Sequence, residues 1–190
     1  SVTHTLTANK YHLLGNPYAS PINTQTMVQA NAGTTIYMVD PTLGTYGGYV
    51  AFDGSNWTPS VSGSDQYLQS GQGFFLKSTA GGTFTIAESH KASGNSNTWF
   101  ERTADTSTDK IRVMLYKQIN SAWQLADGIL AVNSASGNHD LDATDVGKMS
   151  NFNENLFFKN GTSNLAIEYR GLPTAGTTQP MRLTGTTVQP

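Results

Sequence analysis

Lys110-Ile111-Arg112-Val113-Met114-Leu115-Tyr116-Lys117 is the stretch that decides the fold class. Ile111, Val113 and Leu115 alternate with Arg112, Met114 and Tyr116. That is the two-residue period of an extended chain resting one face on a core. A helix would place its apolar residues three and four apart instead. The alternation returns in Phe84 and Ile86 among Thr83, Thr85 and Ala87. It returns again in Leu165, Ile167 and Tyr169 among Ala166, Glu168 and Arg170. Each pattern predicts one buried face and one wetter face, as antiparallel sheets allow. Denser apolar runs at 35–39, 73–76, 129–132 and 156–158 predict strands covered on both faces. Helical spacing is confined to Thr24–Ala30, two turns at most.

Turn-forming pairs punctuate these strands: Gly15-Asn16-Pro17, Asp40-Pro41, Gly47-Gly48, Asp53-Gly54, Gly81-Gly82, Asp127-Gly128 and Asn160-Gly161. Asp-Gly and Asn-Gly accept the positive φ of tight hairpins, which makes Asp53-Gly54 and Asn160-Gly161 the best hairpin turns. Many short strands with frequent turns predict an all-β, antiparallel β-sandwich or jelly-roll-like fold with at most one or two short helices. No fixed-period repeat and no long linker divides the 190 residues, so 1–190 reads as a single domain. The polar stretch Ser89–Thr98 is where a division into two lobes would fall, and residues 184–190 read as a linker or chain end.

Composition narrows the partners. Eleven basic and thirteen acidic residues give a net charge of −2, and only 13% of the chain is charged. Nucleic acid and anionic membranes need a basic footprint, so neither is expected as a partner. No apolar run approaches the roughly 20 residues of a membrane-spanning helix. The chain has no cysteine, which excludes disulfides, thiolate zinc sites and thiol catalysis. No cofactor is required by any motif. The four histidines (His4, His12, His90, His139) lack metal-ligand spacing, and the nucleophile-elbow and phosphate-loop patterns are absent. Paired carboxylates for glycan cleavage are set by distance in space. Four Glu exist (Glu88, Glu101, Glu154, Glu168), and a hydrolase remains the distant alternative to a non-enzyme.

Two groups of residues stand out as candidate sites. Asp140, Asp142 and Asp145 place three carboxylates within six residues, enough to converge on Ca²⁺. The EF-hand template fails, because Asp145 and Asn151 stand where it needs Gly and Glu. The other reading is an ordinary loop, its Asp side chains capping turns or a short helix over 145–151. Tyr46, Tyr49, Trp57 and Trp99, with Asn56 as polar neighbour, are the candidate ligand-binding residues. Aromatic faces take the C–H faces of sugar rings, and an amide satisfies their hydroxyls without any charge. The alternative is that these aromatics are sandwich core.

Leu13-Leu14-Gly15-Asn16-Pro17-Tyr18-Ala19-Ser20-Pro21-Ile22 opens a co-linear series of motifs. It continues through Thr35-Ile36-Tyr37, Asp40-Pro41, Gly71-Gln72-Gly73-Phe74-Phe75-Leu76-Lys77, Phe84-Thr85-Ile86 and Phe100-Glu101-Arg102, and ends with Asp145-Val146-Gly147-Lys148-Met149 and Gly171-Leu172-Pro173. The series resembles an accessory β-rich region of secreted modular surface proteins of Bacteroidetes, usually found upstream of a type IX secretion sorting domain. The resemblance implies an extracellular or cell-surface module beside neighbouring domains of the same polypeptide. It carries no catalytic residues. Taken with the neutral, hydroxyl- and amide-rich composition, the expectation is a non-catalytic module that binds a polysaccharide or surface glycan, or serves adhesion. A spacer that binds nothing would have the same composition.

Overall fold

The computed structural model describes residues 1–59, 67–93 and 109–185. The fold is all-β and sandwich-like, with 52% of the described residues in strands and one short α-helix among them. Two compact units make up the chain: Ser1–Met38 with Phe52–Ala104, and Val39–Ala51 with Asp105–Pro190. Of the polar stretch Ser89–Thr98, residues 94–98 lie outside the described residues.

The first unit begins with β1 (Val2–Leu6), β2 (Tyr11–Gly15), β3 (Ile22–Asn23), α1 (Thr24–Gln29) and β4 (Thr34–Asp40). It resumes within β5 (Gly48–Phe52) and continues through β6 (Trp57–Thr58), β7 (Tyr67–Leu68), β8 (Gly73–Ser78) and β9 (Gly82–Ile86). The chain leaves this unit inside β4 after Met38 and returns inside β5 at Phe52. β1 pairs β9, β3 pairs β7, and β8 runs antiparallel between β2 and β4. Register puts Leu76 of β8 opposite Ile36 of β4; both are buried, as is Phe74, whose ring centroid lies 6.2 Å from that of Phe84 of β9. Each such side chain contributes about 1.5–3 kcal/mol on leaving water.

Polar side chains close the connections between these strands. Asn23 caps α1 by accepting from the Thr26 amide at 2.9 Å. Asn31 donates to the carbonyls of Met27 and Thr85 and accepts from the Thr85 amide, tying the end of α1 to β9. Buried Asn16, in the motif that opens the resemblance, donates to the Ser20 and Leu68 carbonyls and accepts from the Tyr18 amide. Tyr18 in turn donates its hydroxyl to the Ile86 carbonyl at 2.8 Å.

A 3-10 turn, Glu88–His90, follows β9, and His90 is buried there with Nδ1 accepting from the Ala87 amide at 3.1 Å. Desolvation pushes its pKa below the ordinary imidazole value. The unfolded state therefore binds a proton first as pH falls, so stability is full above about pH 6.5 and declines from there toward the lower folded pKa. A His90→Gln variant is expected to lose that segment of the decline. Parallel melting-temperature profiles of the two proteins through mildly acidic pH would refute the assignment.

The second unit holds β10 (Lys110–Ile119), β11 (Ala122–Ser134), β12 (Val146–Gly147), β13 (Asn155–Asn160), β14 (Ser163–Gly171) and β15 (Met181–Thr184). Their sheet order is β10-β11-β14-β13-β15, with β12 also on β14. Ile129 and Ala131 of β11, Leu156 and Phe158 of β13 and Leu165 of β14 form its core, with Val113 and Leu115 packed against them.

Several expectations change here. The β11–β14 pair is parallel, a departure from an antiparallel sheet. Asp127-Gly128 is no turn but the middle of β11, beside a bulge that leaves Ala126 unpaired. Ile111 is 51% exposed, outside the core its alternation predicted. β14 has no wet face: Glu168 and Arg170 are buried along with Leu165 and Ile167. No helix covers 145–151, where β12 stands instead. The Asn160-Gly161 hairpin joins β13 to β14 as expected, and Asp53-Gly54 joins β5 to β6. Thr184 is the last residue of β15, and 186–190 lie outside the described residues.

Candidate functional site

The aromatic candidates divide between the units. Asn56 and Trp57 belong to the first and are buried. Trp57 stacks on Phe52 with ring centroids 4.1 Å apart and planes 17° from parallel. Asn56 closes the Asp53-Gly54 turn, its amide N–H donating to Asp53 Oδ1 at 2.7 Å and its side chain to Oδ2 at 3.3 Å. Both residues are structural parts of a hairpin rather than a presented surface. Trp99 lies outside the described residues.

Tyr46 and Tyr49 belong to the second unit, on the excursion from Val39 to Ala51. The excursion is pinned at both ends. Asp40 is buried and accepts from the amide and hydroxyl of Thr42 at 2.8 and 2.7 Å. Burial raises the Asp40 pKa, and the Thr42 hydrogen bonds oppose the rise. Leu43 is buried, and the Gly44 amide donates to the Leu125 carbonyl at 2.9 Å. Gly47 has φ +81°, and a Cβ there would sit 3.0 Å from the Asp40 carbonyl oxygen, so a side chain at this position is strained. Tyr46 is thereby held on a fixed loop with 70% of its surface exposed.

Tyr49 meets a partner that the sequence reading missed. Its amide donates to Asn151 Oδ1 at 2.7 Å, and its ring lies 6.1 Å from that of Phe152. Phe152 is 68% exposed on a turn closed by side-chain amides. Asn155 accepts from the Asn151 amide at 2.6 Å and donates to the carbonyls of Asn151 and Asn153. Asn151 donates on to the Glu154 carbonyl at 3.3 Å. The signal was present in Asn151-Phe152-Asn153-Glu154-Asn155, where Asn151 and Asn155 lock a turn around one aromatic. Glu154 itself is buried and accepts from Lys117 Nζ at 2.5 Å, so the turn is tied to β10 as well. The result is an aromatic pair on a backbone with little freedom, flanked by amides and one neutralised ion pair.

The acidic loop is organised differently. Asp142 accepts from the amide and hydroxyl of Thr144 and from Asn138 Nδ2, and the Thr144 hydroxyl chiefly holds its pKa below the ordinary value. Asp145 accepts from the amides of Asp142 and Tyr169, while burial raises its pKa. Asp140 is exposed, with its amide on Asn138 Oδ1. The carboxylates of Asp142 and Asp145 thus cap the loop's own backbone and, through Asp145, the Tyr169 amide of β14. Among the described residues no three His, Asp or Glu side chains are grouped to hold a metal ion.

Beneath that loop lies a buried polar network. Glu168 accepts from Asn160 at 3.1 Å and from Gln179 at 2.6 Å, with Arg170 Nη1 4.0 Å away. Arg170 donates through Nε to His139 Nδ1 at 3.2 Å and through Nη2 to the Thr178 carbonyl at 3.3 Å. Glu168 is buried and its two oxygens are engaged by amides, whereas Glu88 is exposed and paired with Lys91. Searches for similar proteins found no matching family model, no matching curated protein and no matching solved structure.

Proposed function

We propose that this chain is a non-catalytic extracellular accessory module that binds a neutral polysaccharide or surface glycan on behalf of a larger secreted protein. The observation that carries this reading is the aromatic pair of exposed Phe152 and half-buried Tyr49, held by Asn151, with exposed Tyr46 presented nearby in sequence on the same pinned excursion. A site for a neutral sugar needs rigid aromatic faces and amides rather than charge, and only 13% of this chain is charged. The motif series resembling Bacteroidetes surface modules supports the extracellular setting. The binding residues then shift from Asn56 and Trp57 to Tyr46, Tyr49 and Phe152.

Native gels containing soluble neutral polysaccharides, with pull-downs on insoluble ones, test the reading. The folded chain is expected to be retarded by at least one glycan. Phe152→Ala is expected to weaken that binding about tenfold, or about 1.4 kcal/mol, and to leave the melting temperature in place because the ring is 68% exposed. A folded chain that no glycan retains would instead establish the spacer, a reading favoured by the burial of Trp57 and Asn56 in the first unit.

A further inference from the structure

The geometry points to a second sugar-stacking platform on the outer face of the β10–β11 hairpin, built from Tyr116, Gln118 and Trp123 and taking a neutral hexose-type glycan. The inference rests on the glycan-binding reading but on different residues.

In the antiparallel register Gln118 is opposite Trp123 and Tyr116 is opposite Leu125. Residues opposite one another share a face, so these four side chains lie on one side of the hairpin. Lys117 alternates onto the other side, where Glu154 holds its ammonium. Trp123 is 70% exposed and Tyr116 39%, with Gln118 exposed between them and Leu125 half-buried beneath. Tyr116 and Trp123 are diagonal neighbours, ordinarily about 7–8 Å apart. They offer two ring faces with one amide that both donates and accepts.

The platform is rigid. Asn120 and Ser121 have φ of 49° and 64°, the left-handed pair of a two-residue hairpin turn, and they fix the register. The Leu125 carbonyl is held by the Gly44 amide. None of the four side chains is charged, which favours a neutral ligand over an ionic one. A stable protein interface takes about 20–30 residues from each partner, and this platform has four. Two ring faces beside one amide suit a flat, uncharged, hydroxyl-bearing ligand.

Tryptophan emission of the full chain, titrated with cello-, laminari- and manno-hexaose, is the test. At least one sugar is expected to give a saturable change that vanishes in Trp123→Phe and persists in Phe152→Ala. Trp123→Ala is expected to bind about tenfold more weakly and to melt with the wild type. An emission change that survives Trp123→Phe, or a Trp123→Ala variant with wild-type affinity, overturns the hairpin platform and leaves the Phe152 site standing. No response to any sugar, together with no retardation in the polysaccharide gels, overturns both.

Discussion

Asp127→Ala is expected to lose about 3–5 kcal/mol of unfolding free energy, the range for removing one partner of a buried ion pair. Asp127 is fully buried in β11 and Lys148 nearly so, and the two form a salt bridge. One carboxylate oxygen also accepts from the Gly128 amide at 2.8 Å, and the other from the Leu156 amide at 2.7 Å. Truncation leaves an ammonium without its counter-charge and removes the carboxylate that the Gly128 and Leu156 amides donate to, each a separate cost. Burial already pushes the Lys148 pKa down, against the opposing pull of Asp127. Against a typical total stability of about 5–15 kcal/mol, a loss of this size leaves the chain marginal or unfolded.

Lys148→Met is expected to cost less, because the carboxylate keeps both amide donors. Adding Lys148→Met to Asp127→Ala is expected to recover part of the loss by removing the stranded charge, a coupling that a double-mutant cycle reads directly. Urea unfolding of the three variants measures all of these terms. A loss below about 1 kcal/mol for Asp127→Ala would show that Asp127 is not holding β11 against Lys148 and the Leu156 amide of β13.

That pair also shows where the sequence stops being readable. Asp127-Gly128 carries a strong local turn signal, and by local chemistry it should break a strand. Lys148 and the Leu156 amide, each more than twenty residues away, satisfy the aspartate, so β11 continues through it with only a bulge. The same cause hides β14. Glu168 and Arg170 occupy the positions an alternating strand gives to water, yet Asn160, Gln179, His139 and Thr178 cover and satisfy them. Periodicity reports that a strand exists and which residues share a face, as in Phe84 and Ile86, both buried. It cannot report whether a second layer covers the polar face. Exposure of aromatics fails for the same reason: Trp57 looked like a ligand contact and is stacked core, while Phe152 and Trp123 are presented to solvent.

Gly137→Ala is the second substitution with a large expected effect, and nothing in the sequence around it announces one. A Cβ at Gly137 would run into the carbonyl group of Arg170 and the amide nitrogen of Gly171. These are backbone atoms of β14, so no flexible side chain can give way. The loop must lift, and with it go the Gly171 amide bond to the Asn138 carbonyl at 3.2 Å and the Arg170–His139 bond. The Asn160 bond to the His139 carbonyl at 3.1 Å goes as well, uncovering the Glu168 network. A loss of about 1–3 kcal/mol is expected, the usual cost of overpacking a tight contact. Amide hydrogen exchange is expected to speed up at Gly171, and at Tyr169, whose N–H donates to Asp145 in the same loop. Gly176→Ala is the control: its φ is +84° but nothing lies within 4 Å of the added Cβ, so it carries backbone strain alone. If Gly137→Ala melts with that control and exchange at Gly171 and Tyr169 is unchanged, the loop is not seated on β14 by this contact. Glycan retention by Gly137→Ala is expected to match the wild type, since neither the Phe152 turn nor the β10–β11 hairpin depends on this loop.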